Sequence, residues 1–338
     1  MSLFFFLAPI FSLFGNLLDL EDNIQSFVLE TRRLEIPEYP DAFNPSIIRW
    51  KGHILMSFRV IPDPQKTYDS QIGLIWLTDD FCQISEPQIL NLRESLPNIP
   101  SRAEDARLIS VGDRLYMVYD DNQEEKLSRG GFRVYLAELL HDGEKFYPAN
   151  IECLSRFEGE SRAVREKSWT PFNYMDELYL AYTLSPHKIF KPLFKDGECI
   201  TVCSTETPIE WPWGELRGGT PALEIDGEYL AFFHSSTNME TIHSQGKNIA
   251  HYFIGAHTFS SDPPFQILRA SPEPIIGRGF YHGYTYKPYW KPIRAVFPCG
   301  LIADDDHFWI AYGRQDHEIW IAKIDKKGLL DSLKTLQH

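Results

Sequence analysis

The chain has 338 residues, and 33 basic against 47 acidic side chains leave a formal net charge of −14. That balance argues against nucleic acid or an anionic membrane surface as partner, because a polyanion would need a strong local basic patch. Apolar residues at 43% and charged residues at 24% exclude a disordered, collagen-like or coiled-coil chain.

Residues 1–23 are read as an apolar leader. The stretch is apolar from Leu3 to Leu18, has no Lys or Arg before Arg32, and contains Pro9. A run of about 16 residues is short for a bilayer crossing. It has three readings, a weak signal sequence, an interfacial anchor or a mispredicted start, and membrane contact follows only from the second. The missing basic segment favours a cytoplasmic chain over a secreted one. Five cysteines (Cys82, Cys153, Cys199, Cys203, Cys299) form no CxxC and no Cys/His pair at zinc spacing, and the histidines show no paired spacing with carboxylates. Neither a disulfide framework nor a metal site is expected.

From about residue 24 to 326 one pattern recurs five times. Its copies are NPSIIRWKGHILMSFR from Asn44, DARLISVGDRLYMVYD from Asp105, TPFNYMDELYLAYT from Thr170, TPALEIDGEYLAFFH from Thr220 and FPCGLIADDDHFWIAYG from Phe297. Each reads as a hairpin whose turn carries Gly or Asp: Lys51-Gly52, Gly112-Asp113, Asp176-Glu177, Asp226-Gly227 and Asp304-Asp305. A further apolar strand follows each copy, IGLIWLTD, RVYLAEL, ITVCSTE, YFIGAHTF and EIWIAKID in turn. Five such units predict an all-β chain, a single five-bladed β-propeller, with SFVLETRRLEI (26–36) donating the strand that closes the ring. Stacked β-sandwiches are the alternative. Helical periodicity is confined to KKGLLDSLKTLQH, so 327–338 is read as a C-terminal tail with a short helix.

Equivalent positions of a repeat face the same way, and innermost strands surround a central channel. The entry position holds Asn44, Asp105, Thr170, Thr220 and Phe297, and the exit of the second strand holds Arg59, Asp120, Thr183, His234 and Gly313. That polarity is the functional signal. Strand alternation admits only one of Glu104 and Asp105 to the channel, and register selects Asp105. Ser46 and Arg107 lie two residues beyond Asn44 and Asp105 on the same faces. Arg59, Arg107, Lys167, Arg217 and His234 gather cations in an acidic protein, which suits an oxyanion such as phosphate or carboxylate. Ordinary pairing with acidic neighbours is the competing account of each.

These residues resemble the five-bladed propellers of glycoside hydrolase family 130, the β-mannoside phosphorylases and their mannosyltransferase relatives. The resemblance covers most of the chain after about residue 40. It rests on Asn44, Arg59, the Glu104-Asp105-Ala106-Arg107 segment that is similar to the family's E-D-P-R, His234 after an apolar strand, and Asp316 in GRQD. It implies an inverting transfer of a glycosyl unit, a β-mannosyl one in that family, to inorganic phosphate, with Asp105 as general acid. Asn44, Ser46, Arg59, Asp120, Thr170, Thr220 and Asp316 would then bind the sugar substrate, and Arg107, Lys167, Arg217 and His234 would surround the phosphate. Ala106 replaces the family's proline, and Phe233 replaces a tyrosine that often precedes the histidine.

The chemistry also has a reading from below. Hydrolysis of a glycosidic bond ordinarily takes two carboxylates. The start of the first inner strand is Asn44, and one carboxylate plus a cationic pocket fits phosphorolysis, because phosphate brings its own nucleophilic oxygen. Asp316 or Asp120 as a second carboxylate keeps a hydrolase open, and a non-catalytic carbohydrate-binding propeller is the third possibility. No cofactor is required; phosphate is a co-substrate. Trp169, Tyr281, Tyr284, Tyr286 and Trp290 are candidate sugar-stacking aromatics, the last four in a loop (277–292) that reads as a lid or an oligomer contact.

Overall fold

A computed structural model describes residues 17–283 and 291–337. Five antiparallel sheets are arranged as a five-bladed β-propeller. Blade 1 runs outward through Phe43–Trp50, His53–Val60, Gln71–Leu77 and Gln88–Ile89, and blade 2 through Glu104–Val111, Arg114–Asp121, Arg133–His141 and Phe146–Leu154. Blade 3 comprises Thr170–Tyr174, Glu177–Leu184, His187–Pro192 and Cys199–Thr205. Blade 4 has a broken inner strand, Arg217–Gly218 then Leu223–Ile225, followed by Glu228–Met239, Ile249–Ser260 and Ile267–Ala270. Blade 5 is built from Val296–Ala303, His307–Arg314 and Glu318–Asp325, and its outer strand is Val28–Leu34 from the other end of the chain. That pairing is the expected closure of the ring.

Both faces of each sheet must bury apolar side chains, so the core divides into five interblade seams. Leu55 and Ile72 of blade 1 meet Leu108 and Met117 of blade 2. Val118 and Val134 meet Leu178 and Leu180 across the next seam. Phe172 of blade 3 packs against Tyr229 and Phe259 of blade 4, Phe232 of blade 4 against the Leu301 and Phe308 group of blade 5, and Ile302 and Ile321 of blade 5 against Ile47 and Met56 of blade 1. Phe172 is fully buried among four aromatic rings, so its truncation to alanine costs about 3–5 kcal/mol.

The innermost hairpins differ in detail from the expected turns. Lys51-Gly52 and Asp226-Gly227 have positive φ at both central residues, the type I′ form whose twist matches the flanking strands. The turn of blade 3 is Met175-Asp176, one residue earlier than expected, because Tyr174 pairs Glu177. ITVCSTE supplies the fourth strand of blade 3; the third, His187–Pro192, is short and ends in proline. The tail forms the helix Lys326–Ser332, capped by Asp325, whose side chain accepts from Gly328 N at 2.5 Å, and then Lys334–Thr335 pairs blade 4. None of the described helices is long and apolar enough to cross a membrane, and leader residues 1–16 lie outside the described residues.

Candidate functional site

The site forms where the inner strands of blades 1 and 2 begin. Both strands open with a β-bulge, between Phe43 and Ser46 and between Glu104 and Arg107. Asn44 (φ 48°) and Asp105 (φ 56°) sit in these bulges in the left-handed region, which Asn and Asp tolerate better than most residues. A bulge re-aims side chains, and here it defeats simple alternation: Glu104 and Asp105 both face the same polar cluster. Asn44 Nδ2 donates to Asp105 Oδ1 at 2.7 Å, and Arg59 Nη1 lies 3.4 Å from the same oxygen and 2.5 Å from Glu104 Oε2. Asp105 retains 6% exposure, more than Glu104 or Asp120 and less than Asp316.

Glu104 organises the cations. Besides Arg59, it pairs with Arg165 at 3.4 Å and closely with Lys167, and both of these lie over the Phe132 ring. Burial, then Arg59, lowers the Lys167 ammonium well below its ordinary value, while Asp316 opposes the shift. Arg217 is more exposed and pairs with Glu215 at 3.2 Å. Burial, followed by the field of Arg107, brings His234 down to about 3; its Nδ1 lies 2.8 Å from Gly218 O and so carries the proton, leaving Nε2 as an acceptor. Tyr252 stacks on this imidazole at 6.0 Å, and Phe297 meets it at 4.4 Å with its ring tilted by 59°.

Two more carboxyls stand near Asp105. Burial pushes Asp120 up to about 7; Arg107 pulls the other way and Asp105 adds to the rise. Its Oδ1 accepts from Ser168 N at 3.2 Å, and its Oδ2 has no hydrogen-bond partner among the described residues. Burial likewise raises Asp316 to about 6, against the pull of Arg59.

Asn44, Arg59, Asp105, Asp120, Lys167, Arg217, His234 and Asp316 therefore act on one another at this mouth. The other expected contacts are placed differently. Arg107 is fully buried, with Nε donating to Gly219 O at 2.5 Å and Nη1 to Asp105 O at 2.8 Å, so it braces blade 2 against blade 4 and presents no surface to an anion. Ser46 accepts from Leu108 N at 3.1 Å, Thr220 accepts from Phe232 N at 3.1 Å while donating to Pro221 O, and Thr183 donates to Pro186 O. Those hydroxyls hold backbone. Thr170 is buried beside Gly218, its hydroxyl without a hydrogen-bond partner among the described residues. Trp169 is buried in the seam between blades 2 and 3, and Tyr281 is fully buried with its hydroxyl on Tyr252 O at 2.9 Å, so neither offers a ring to a sugar. Tyr284, Tyr286 and Trp290 lie outside the described residues.

Sequence reasoning missed Glu104 as a member of the site, together with Arg165 and Tyr252. Arg165 and Lys167 alternate in the extended stretch before Thr170, and Tyr252 opens the YFIG strand, which are the signals available in the sequence.

No protein-family model and no curated protein matches the chain. Solved structures do. One comes from the GH130 family of mannoside phosphorylases, described as containing glycoside hydrolases that target β-1,2 mannosidic linkages in Candida mannan; identity is 13%, TM-score 0.60, with 85% of each chain covered. The β-1,2-mannobiose phosphorylase from Listeria innocua, in complex with β-1,2-mannobiose, is 17% identical with TM-score 0.57, covering 89% of this chain and 92% of its own. A mannose phosphorylase from Leishmania mexicana, in complex with a phosphate ion, is 14% identical with TM-score 0.56 and 92% coverage of both. The chain shares their propeller fold. At these identities the likeness extends to the fold alone, and the site must be argued from its own residues.

Proposed function

We propose that this propeller is a carbohydrate-active enzyme that transfers a glycosyl unit, a β-mannosyl unit on the strength of its structural neighbours, to inorganic phosphate with inversion. The observation that supports the reading is the pairing at the mouth: the Asp105 carboxylate is fixed by Asn44 and Arg59 beside the cations Arg59, Arg165, Lys167 and Arg217.

In this reading the Asp105 carboxyl gives its proton to the glycosidic oxygen, which leaves as a hydroxyl. A phosphate oxygen attacks the anomeric carbon from the opposite face and forms the sugar 1-phosphate. Lys167 and Arg217 hold the phosphate, and His234 Nε2 accepts a hydrogen bond from a hydroxyl of phosphate or sugar. Asn44 and Asp316 bind the sugar, and Asp120 lies behind Asp105 where its field acts on the acid.

Hydrolysis on the same scaffold is the second reading, favoured by Asp316. It is a half-buried carboxyl whose raised value of about 6 suits a base near neutrality. A screen of sugar 1-phosphates as donors to sugar acceptors, following phosphate release, tests the first reading. Turnover of a β-mannoside in phosphate-free buffer, undiminished relative to phosphate buffer, would replace it with the second.

A further inference from the structure

Away from the channel mouth, three distant stretches bring metal-type donors together. Glu21 lies on the short turn Leu20–Asn23 that follows the leader, His243 on the turn after the long second strand of blade 4, and His282 in the loop before blade 5. One ligand atom from each lies within 4.8 Å of the other two. Asp19 joins them, with Oδ1 2.9 Å from His243 Nε2, and Glu21 Oε1 is 3.0 Å from His282 Nδ1. The two imidazole rings meet edge to face at 5.5 Å.

We propose that Glu21, His243 and His282, with Asp19 as the fourth donor, form a binding site for one divalent transition-metal ion of the zinc class. Two imidazoles and carboxylates in a compact cluster suit that class, whereas calcium and magnesium prefer all-oxygen sets. Each histidine now faces a carboxylate through one ring nitrogen, so a dication replaces the shared protons and meets two negative charges that balance it. Outer contacts already aim the carboxylate: Gly279 N donates to Glu21 Oε2 and Tyr281 N to Oε1, each at 2.9 Å. Such an ion would clasp the segment after the leader to blade 4 and to the Gly279–His282 loop, and through the Tyr281 hydroxyl to Tyr252 at the mouth.

The test uses the full, untagged chain dialysed against chelator and titrated calorimetrically with Zn²⁺, with Co²⁺ absorption as a report of nitrogen and oxygen ligation. One equivalent should bind and raise the melting temperature. His282→Ala, at a side chain 65% exposed and therefore compatible with folding, should weaken binding at least about tenfold, and His243→Ala with His282→Ala should abolish it. Absence of Zn²⁺ binding by the wild-type chain, or binding undiminished by His282→Ala, overturns the proposal. Neither readout depends on catalytic activity.

Discussion

The amide of Asn44 in blade 1 donates to the carboxylate of Asp105 in blade 2 at 2.7 Å, and both residues reach that contact from left-handed backbone. Room for it is made from a third blade. A Cβ on Gly313 would lie 1.8 Å from Asn44 Oδ1, so blade 5 carries glycine where the repeat elsewhere carries Arg59, Asp120 or His234. Gly313→Ala should push Asn44 off Asp105. The expected result is a tenfold or greater fall in turnover for a stability cost of about 1–3 kcal/mol. Unchanged turnover would mean that the Asn44 contact is dispensable.

Asp105→Asn is the sharper test of the acid. The Asn44 bond survives on the amide oxygen, so the melting temperature should move little. Loss of the proton donor should cost roughly 10²–10⁴-fold in turnover. Activity retained within a few fold, with the fold intact, would transfer the role to another carboxyl.

Glu104 pairs with Arg59 and Lys167, both largely buried, and with the half-buried Arg165, and breaking a buried ion pair from one side is expensive. Glu104→Gln should destabilise the fold by about 3–5 kcal/mol. It should also leave three cations seeking an anion, so phosphate ought to raise the variant's melting temperature more than the wild type's. An equal phosphate response in both proteins would show that these cations do not face the anion site.

The blades were legible because their signals are local. Turn residues with positive φ at Gly52, Gly112, Asp226 and Gly227 punctuate alternating strands, and the closing strand shows as a strand-like segment, SFVLETRRLEI, left over before the first repeat. The site was legible only in part. Alternation chooses between Glu104 and Asp105, but a bulge with Asp105 at φ 56° turns both toward the cluster, and a bulge leaves no mark in single-residue spacing. Ser46, Arg107 and Thr220 were correctly polar and inward, yet nothing in the pattern separates a hydroxyl or guanidinium that braces backbone from one that awaits a ligand. Glu21, His243 and His282 meet only because the ring closes, which no local spacing records.

His234 is held neutral by burial, with its value near 3 against an ordinary 6.5. Its folded value lies below its unfolded one, so the stability linked to it is present above about pH 6.5 and is lost as pH falls toward 3. Its part in phosphate binding should therefore be that of a neutral group. The ratio of wild-type to His234→Ala phosphate affinity, measured by calorimetry, should stay constant from about pH 5 to pH 8. A ratio that rises steeply below pH 6.5 would show that the imidazole binds as a cation. Lys167→Ala should by contrast weaken phosphate most at the acid end of that range, at least about tenfold, because burial lowers the ammonium and a charge-assisted hydrogen bond is lost only while it is charged.

Asp120 makes the opposite prediction for stability. Burial places its folded value at about 7, above the 3.8 of an ordinary aspartate, so between those pH values the folded chain keeps a proton that the unfolded chain has released. Stability linked to this group is whole below about pH 4 and falls as pH rises through 7, by up to about 4 kcal/mol for a shift of that size. Asp120→Asn removes the titrating proton while its side-chain oxygen still accepts from Ser168 N. Denaturant unfolding at about pH 4 and pH 8 should show the variant gaining on the wild type as pH rises. A difference between the two proteins that does not change with pH would mean that Asp120 is already ionised in the folded chain, with Arg107 outweighing the burial.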